Sequence, residues 1–156
     1  MEDKKIQEIV EQIVKNVNLK SVTLSMAKKL AVRVEEEAAR IGVKAVVAIA
    51  DCGANTILAE CMDDAYIASY DIAVNKAFTS VSLKMPTKTL KGLAQPGEPL
   101  YGIQFTNNGK IVIFGGGVPL MCGGVVIGGF GVSGGSEEQD TYLGDFAARV
   151  FEEEIL

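Results

Sequence analysis

The chain contains no histidine, which removes the commonest acid-base group, the commonest metal ligand and every Ser-His or Cys-His nucleophile pair. What can still do chemistry is a short set: Lys76, the acids Asp51, Asp63, Asp64 and Asp140, and the cysteines Cys52, Cys61 and Cys122. Lys76 falls on the small-residue face of a predicted helix. An ammonium there either snorkels outward or pairs with a buried acid, Asp51 or Asp140, with a Schiff-base role as the remaining alternative. Met62-Asp63-Asp64-Ala65 sits at a strand-to-helix junction, where Asp63 or Asp64 caps the helix and complements its dipole, or else serves a ligand. The cysteines are odd in number and none forms a C-x-x-C pair, so no structural zinc site is expected. With no signal-peptide pattern at the start, a reduced cytosolic setting is expected.

A second kind of signal is glycine. Residues 115–135 are built of glycine alternating with apolar residues, which reads as buried strand broken by turns. Glycine packed this way means that something approaches closely: a facing backbone, a neighbouring subunit or a ligand. Within it Gly129-Phe130-Gly131-Val132-Ser133-Gly134 matches G-x-G-x-x-G. A dinucleotide site is not expected, because only one terminal helix follows and the fingerprint needs a second parallel strand carrying an acid. Free N–H groups near Ser136 either hold an anion or are capped by Ser136 itself.

The elements that must position these residues follow from periodicity and punctuation. Residues 4–17 place Ile6, Ile9, Val10, Ile13, Val14 and Val17 on one face of an amphipathic helix. After a break at 18–21, Thr23 is the predicted N-cap of a second helix with Leu24, Ala27, Leu30, Ala31 and Val34 inward and Gly42 at its end. Residues 44–51 and 55–61 read as a hairpin. A third helix over 64–83 presents Ala65, Ala68, Ile72, Ala73, Lys76 and Thr79, and Pro86 ends that pattern, with Thr87 capping a short helix through Leu93. Residues 95–99 form the only lid-like loop. Residues 102–106 and 110–114 flank Asn107-Asn108-Gly109, a hairpin signal, and two further strands surround Gly123-Gly124. Ser136-Glu137-Glu138-Gln139 resembles a capping box opening a last helix to about residue 154. The tight turns predict an α/β (α+β) architecture, an antiparallel sheet of about five strands with helices on its faces.

Composition sets the outer limits. A 156-residue chain with 48% hydrophobic and 22% charged residues is read as one globular domain with a sizeable core, and no apolar run nears membrane-spanning length. A net charge of −5, scattered Lys and Arg and the absence of Trp speak against nucleic acid as a partner.

Taken together, several stretches carry a family resemblance. They are Asp51 with Gly53, Met62-Asp63-Asp64-Ala65, Ser69, Lys76-Ala77, Pro86-Thr87, Gly115-Gly116-Gly117-Val118-Pro119, Gly131-Val132-Ser133-Gly134-Gly135 and Gln139-Asp140. This combination resembles the GlcG/HbpS family, and it looks closest to the C-terminal domain of PduO-type corrinoid adenosyltransferases. That pattern also includes Lys84-Met85-Pro86-Thr87, Gln95-Pro96-Gly97 and Leu100-Tyr101-Gly102. The likeness spans about residues 22 to 150, so residues 1–20 stand apart as a segment preceding a 21–156 domain.

The resemblance implies a profilin-like fold with a five-stranded antiparallel sheet, homo-oligomers, and binding of haem, a corrinoid or a related tetrapyrrole. It places the ligand between the glycine-rich strands and the third helix. Gly115, Gly116, Gly117 and Pro119 would form the wall, with Met62, Asp63, Ser69, Lys76 and Asp140 near it and Asp51 structural. Adenosyl transfer is not expected, because that chemistry belongs to a different, N-terminal domain. Two departures stand out. Cys61 occupies the place where the family commonly has Arg, and haem held by histidine is excluded, leaving Met62, Met121, a Cys thiolate, a Tyr or no axial protein ligand. The first helix resembles segments that direct cargo into bacterial microcompartments, which would make a shell protein its partner; packing on its own domain or across a dimer is the plainer reading. The expected role is an auxiliary binding protein in cofactor-dependent metabolism. The alternatives are an enzyme using Lys76 with Asp63 or Asp140 on a small organic acid, and a non-catalytic assembly factor.

Overall fold

The computed structural model describes residues 2–17 and 19–156, the side chains of residue 2 and of residues 14–17 excepted. The element order is α1 (Glu2–Val17), α2 (Leu24–Arg40), β1 (Val46–Asp51), β2 (Thr56–Cys61), α3 (Ile67–Leu83), α4 (Thr87–Leu93), β3 (Gly117–Cys122), β4 (Val125–Ser133) and α5 (Glu137–Val150). A π-helical turn at Phe151–Ile155 extends α5. The four strands form one antiparallel sheet in the order β2-β1-β4-β3. No described helix is long and apolar enough to cross a membrane.

Both faces of this sheet are covered, so its central strands alternate large with small rather than apolar with polar. Val47 and Ile49 of β1 and Phe130 and Val132 of β4 join Leu30, Ala31 and Val34 of α2 and Leu143 and Ala147 of α5 in the main core. On the opposite face Ala48 and Ala50 pack with Ala73, Ala77 and Val81 of α3. Gly129 and Gly131 complete that face, and they let α3 ride unusually close. A Cβ on Gly129 would meet Ala77 O at 2.5 Å, and one on Gly131 would collide with Ala73 O and lie 2.6 Å from Ala77 N.

Local signals account for most boundaries. Thr23 accepts the Met26 N–H and caps α2, while Gly42 leaves that helix at φ +77°. Gly123 and Gly124 turn the β3–β4 hairpin with both φ positive. Ser136 and Gln139 form a complete capping box on α5.

Five expectations need correction. The sheet has four strands, because residues 102–114 form two 3₁₀ turns, Ile103–Phe105 and Asn107–Gly109. Asn107, Asn108 and Gly109 all take positive φ, one residue more than a two-residue hairpin turn uses, and the Val112 N–H donates to Thr79 Oγ1 of α3 rather than to a strand. Leu24, in the first turn of α2, is 51% exposed. Ala68 is exposed, and the buried residues of α3 are Ser69, Ala73, Lys76, Ala77, Thr79, Ser80 and Val81. Neither Asp63 nor Asp64 caps α3, which starts after Tyr66 without a side-chain cap; Asp64 sits at φ +64° and pairs with Lys44. Thr87 is inside α4 rather than its cap, and its Oγ1 accepts the Gly117 N–H at 2.9 Å.

The first helix forms as predicted, yet Ile6, Ile9, Val10 and Ile13 are each 51–56% exposed. Val14 and Val17 of its stripe lie outside the described side chains. Gln12 ties α1 to the chain end by donating to Leu156 O at 2.7 Å.

Candidate functional site

The strand register decides which residues meet at one end of the sheet. Val46 pairs with Cys61 on one side and with Ser133 on the other, so the residues just beyond these strand ends cluster: Val43 and Lys44, Met62 and Asp63, Gly134 and Gly135. Gly134 is required there. It holds φ +150°, and a Cβ on it would run into the Lys44–Ala45 backbone.

Three hollows follow one another along this end and share walls. The largest, about 840 Å³, lies between the flank of α2 and the end of β2, where Glu35, Lys44, Glu60, Cys61, Met62 and Asp63 contribute side chains. The middle one, about 330 Å³, shares Gly42, Val43 and Lys44 with the first and is flanked by Asp64 and Tyr66. The far one, about 320 Å³, shares Tyr66, Gly134 and Gly135 with the middle and reaches Ser69, Phe114, Ser133 and Asp140. The first falls within the roughly 300–1,000 Å³ usual for small-molecule sites.

The electrostatics differ along this trough. In the large hollow, burial, a hydrogen bond with Glu60 and the Glu60 charge together push the Glu35 carboxyl up to about 7. Met62 is partly buried and its Sδ accepts the Ala45 N–H at 3.3 Å. Lys44 reaches Asp64 at 3.0 Å in an exposed pair. Behind the far hollow, Lys76 is fully buried and donates to Asp140 Oδ2 at 3.0 Å and to Val132 O at 2.8 Å, with its Nζ 4.9 Å from the Phe114 ring centre. Burial lowers the Lys76 ammonium from its ordinary value, and the Asp140 charge opposes that. Burial raises the Asp140 carboxyl, against the pull of Lys76 and the N–H groups of Gly135 and Gly134. Ser133 Oγ donates to Ser69 Oγ at 3.1 Å, both hydroxyls being buried.

The structure therefore divides the predicted site residues. Met62 and Asp63 line the large hollow, Ser69 and Asp140 line the far one, and Lys76 stands behind it as the tie from α3 to β4 and α5. Gly115, Gly116, Gly117 and Pro119 line none of these three hollows. The glycines of that group face the chain's own atoms: a Cβ on Gly115 would collide with Thr141, one on Gly116 would lie 2.7 Å from Lys76 Nζ, and one on Gly117 would lie 2.6 Å from Thr87 Cγ2. Asp51 is structural as expected. Burial works against it, but the N–H groups of Asn55 and Gly53, each 2.9 Å from its Oδ1, hold the carboxyl below its usual range and shape the β1–β2 turn.

Glu35, Lys44, Glu60 and Tyr66 were missed by sequence reasoning. Glu60 carries the one usable signal, a charge in the second half of a strand of otherwise uncharged residues.

The chain resembles known proteins along most of its length. It is 46% identical over 139 residues, 89% of this chain and 98% of the other, to an uncharacterized 15.0 kDa protein in the dhaT-dhaS intergenic region of Citrobacter freundii. It is 43% identical over 105 residues to the corrinoid adenosyltransferase PduO of Salmonella typhimurium, covering 67% of this chain but only 31% of that enzyme. The crystal structure of a PduOC:heme complex superposes with a TM-score of 0.79 at 37% identity, covering 82% of this chain and 93% of the other. The family model for the haem degrading protein HbpS-like group matches residues 22–148, and the chain belongs to that HbpS-like family.

Proposed function

We propose that the protein binds haem or a related tetrapyrrole in the trough at the end of the sheet, as an auxiliary factor in cofactor-dependent metabolism. One observation carries this reading: the hollow of about 840 Å³ gathers two sulfur side chains, Cys61 and Met62, and a cation, Lys44, at one mouth. Thiolate and thioether sulfur are established iron donors, and an ammonium at the rim suits the carboxylates of a tetrapyrrole. These residues fit the group. Cys61 or Met62 would stand near the metal and Lys44 near a propionate, and a bound haem would supply a redox-active iron. The HbpS-like description of the family and the heme complex of PduOC support the same reading.

The Lys76 pair does not favour a catalytic reading, since two of the three ammonium hydrogens are committed to Asp140 and Val132. Titration of the purified protein with hemin tests the proposal. A saturable Soret shift at a fixed stoichiometry is expected, and a shift that grows without saturation would overturn it.

The protein is further read as a homo-oligomer, with residues 1–20 addressing it to a microcompartment shell. The half-exposed stripe Ile6, Ile9, Val10 and Ile13 supports a helix whose apolar face is meant for another surface. Residues 1–20 fused to a fluorescent protein should form puncta in cells making compartments, and diffuse fluorescence would reject the addressing role.

A further inference from the structure

The row of β4 residues that faces α3 runs Gly129, Gly131, Ser133 by the two-residue period of a strand. The two glycines lie under the α3 backbone, and Ser133, the last residue of the strand, is the first of the row to carry a polar side chain. One helical turn before Ala73, α3 meets it with Ser69, and the two buried hydroxyls share a hydrogen bond of 3.1 Å. Two hydroxyls carry two hydrogens, and this bond uses one. Thr79 and Ser80 of the same helix donate to Asn75 O and Ala77 O, whereas neither the Ser69 nor the Ser133 hydroxyl makes a further hydrogen bond among the described residues. A buried donor left over is costly, and both serines line the far hollow of about 320 Å³. The spare hydrogen is therefore available to an acceptor inside that hollow.

Two carboxylates from the first turn of α5, Glu137 and Asp140, line the same space. Each has a fixed cation: Asp140 Oδ2 takes Lys76 at 3.0 Å, and Glu137 Oε2 takes Lys91 at 2.6 Å. Neither lysine lines the hollow, so an anion would meet the carboxylates first, and a cation would have to share them with the lysines. An ion of either sign thus finds no unpaired countercharge. An ionised carboxylate has about four lone-pair sites, which leaves acceptors for hydroxyl donors, while Ile72 and Phe114 offer apolar wall to carbon. We propose that the far hollow is a site for a small uncharged polyol, which accepts the spare hydrogen of the Ser69–Ser133 pair and donates its own hydroxyls to Asp140 and Glu137. The site is independent of haem in the large hollow, and failed hemin uptake would leave it standing.

Erythritol is the probe, with erythronate, its carboxylate counterpart, as the charged comparison. Both are titrated into the whole ¹⁵N-labelled protein and read by amide NMR shifts. Erythritol is expected to move the amides of Ser69, Ser133, Gly134 and Gly135 along one saturating curve, and erythronate to bind at least about fivefold more weakly. The double variant Ser69→Ala with Ser133→Ala removes both partners of the buried bond together, a change close to neutral for stability, and should weaken erythritol at least about fivefold. Erythritol shifts that are absent or never saturate overturn the proposal and leave the spare hydrogen to water. Unchanged erythritol affinity in the double variant overturns it as well, by removing the hydroxyl pair from the site. Erythronate binding as tightly as erythritol overturns the uncharged class of ligand.

Discussion

The α3 face of the sheet and the end at which β4 and its neighbours stop solve opposite problems. Along the α3 face, Ala48, Ala50, Gly129 and Gly131 leave little side-chain thickness, and at the two glycines the helix backbone comes down to distances at which a single added carbon collides. At the end of the sheet, the same strands stop and a trough opens between the flank of α2 and the end of β2, lined by acids, sulfur and one lysine. Glycine density in this chain marks the close approach of a helix. The open space is marked instead by a carboxyl whose ionisation is displaced. The account thus predicts that damage to the first region shows in stability and damage to the second in ligand binding.

The sharpest break of that division is Lys76→Met. It leaves Asp140 buried without its cation, which costs about 3–5 kcal/mol when a buried pair is broken. Thermal denaturation should show a fall of about 10 °C or more. A folded Lys76→Met protein of unchanged stability that binds hemin more weakly would move Lys76 from the scaffold into the site. Next comes Gly131→Ala, where the new Cβ is aimed at the Ala73 and Ala77 backbone. Overpacking of this kind costs about 1–3 kcal/mol or more, measurable by urea denaturation, while the hemin affinity of the folded fraction is expected to stay within twofold to threefold of about the wild-type value.

Much of the frame was legible beforehand because it rests on local chemistry. The Thr23 cap, Gly42 past the end of α2, the Gly123-Gly124 turn and the Ser136–Gln139 capping box each act within four residues, and each formed as read. Asn107-Asn108-Gly109 misled for the converse reason. Its turn chemistry is real, since all three residues take positive φ, but Thr79 captures the following backbone and denies it a strand partner. The site divided along the same line. Lys76 with Asp140 was foreseeable as a charge on a small-residue face needing an acid. Glu35 with Glu60 was not, because their meeting depends on β2 being an edge strand laid beside α2, a fact of topology. The glycine run was readable as close packing, but what it packs against is decided by the path of α3.

On the trough side the expected effects are smaller in stability and larger in binding. Met62→Ala should weaken hemin at least about tenfold, equivalent to about 1.4 kcal/mol, by Soret titration; an unchanged affinity would remove Met62 from the site. The smallest effect is a pH slope. Because the folded-state Glu35 is raised from 4.5 to about 7, the native state holds more proton than the unfolded chain between those values, so stability declines as pH rises through that window. Solvent screening of a partly exposed group limits the loss to about 1 kcal/mol. Calorimetry should therefore find the wild type losing about 2–4 °C more than Glu35→Gln between pH 5 and pH 8. Equal slopes would contradict it.

The most direct measurement is the anomalous scattering of iron in crystals of the hemin-loaded protein. The account predicts the iron peak in the trough beside Met62 and Lys44, with α3 still seated on Gly129 and Gly131. An iron peak over the Gly115–Pro119 stretch, with α3 displaced from the sheet, would contradict it.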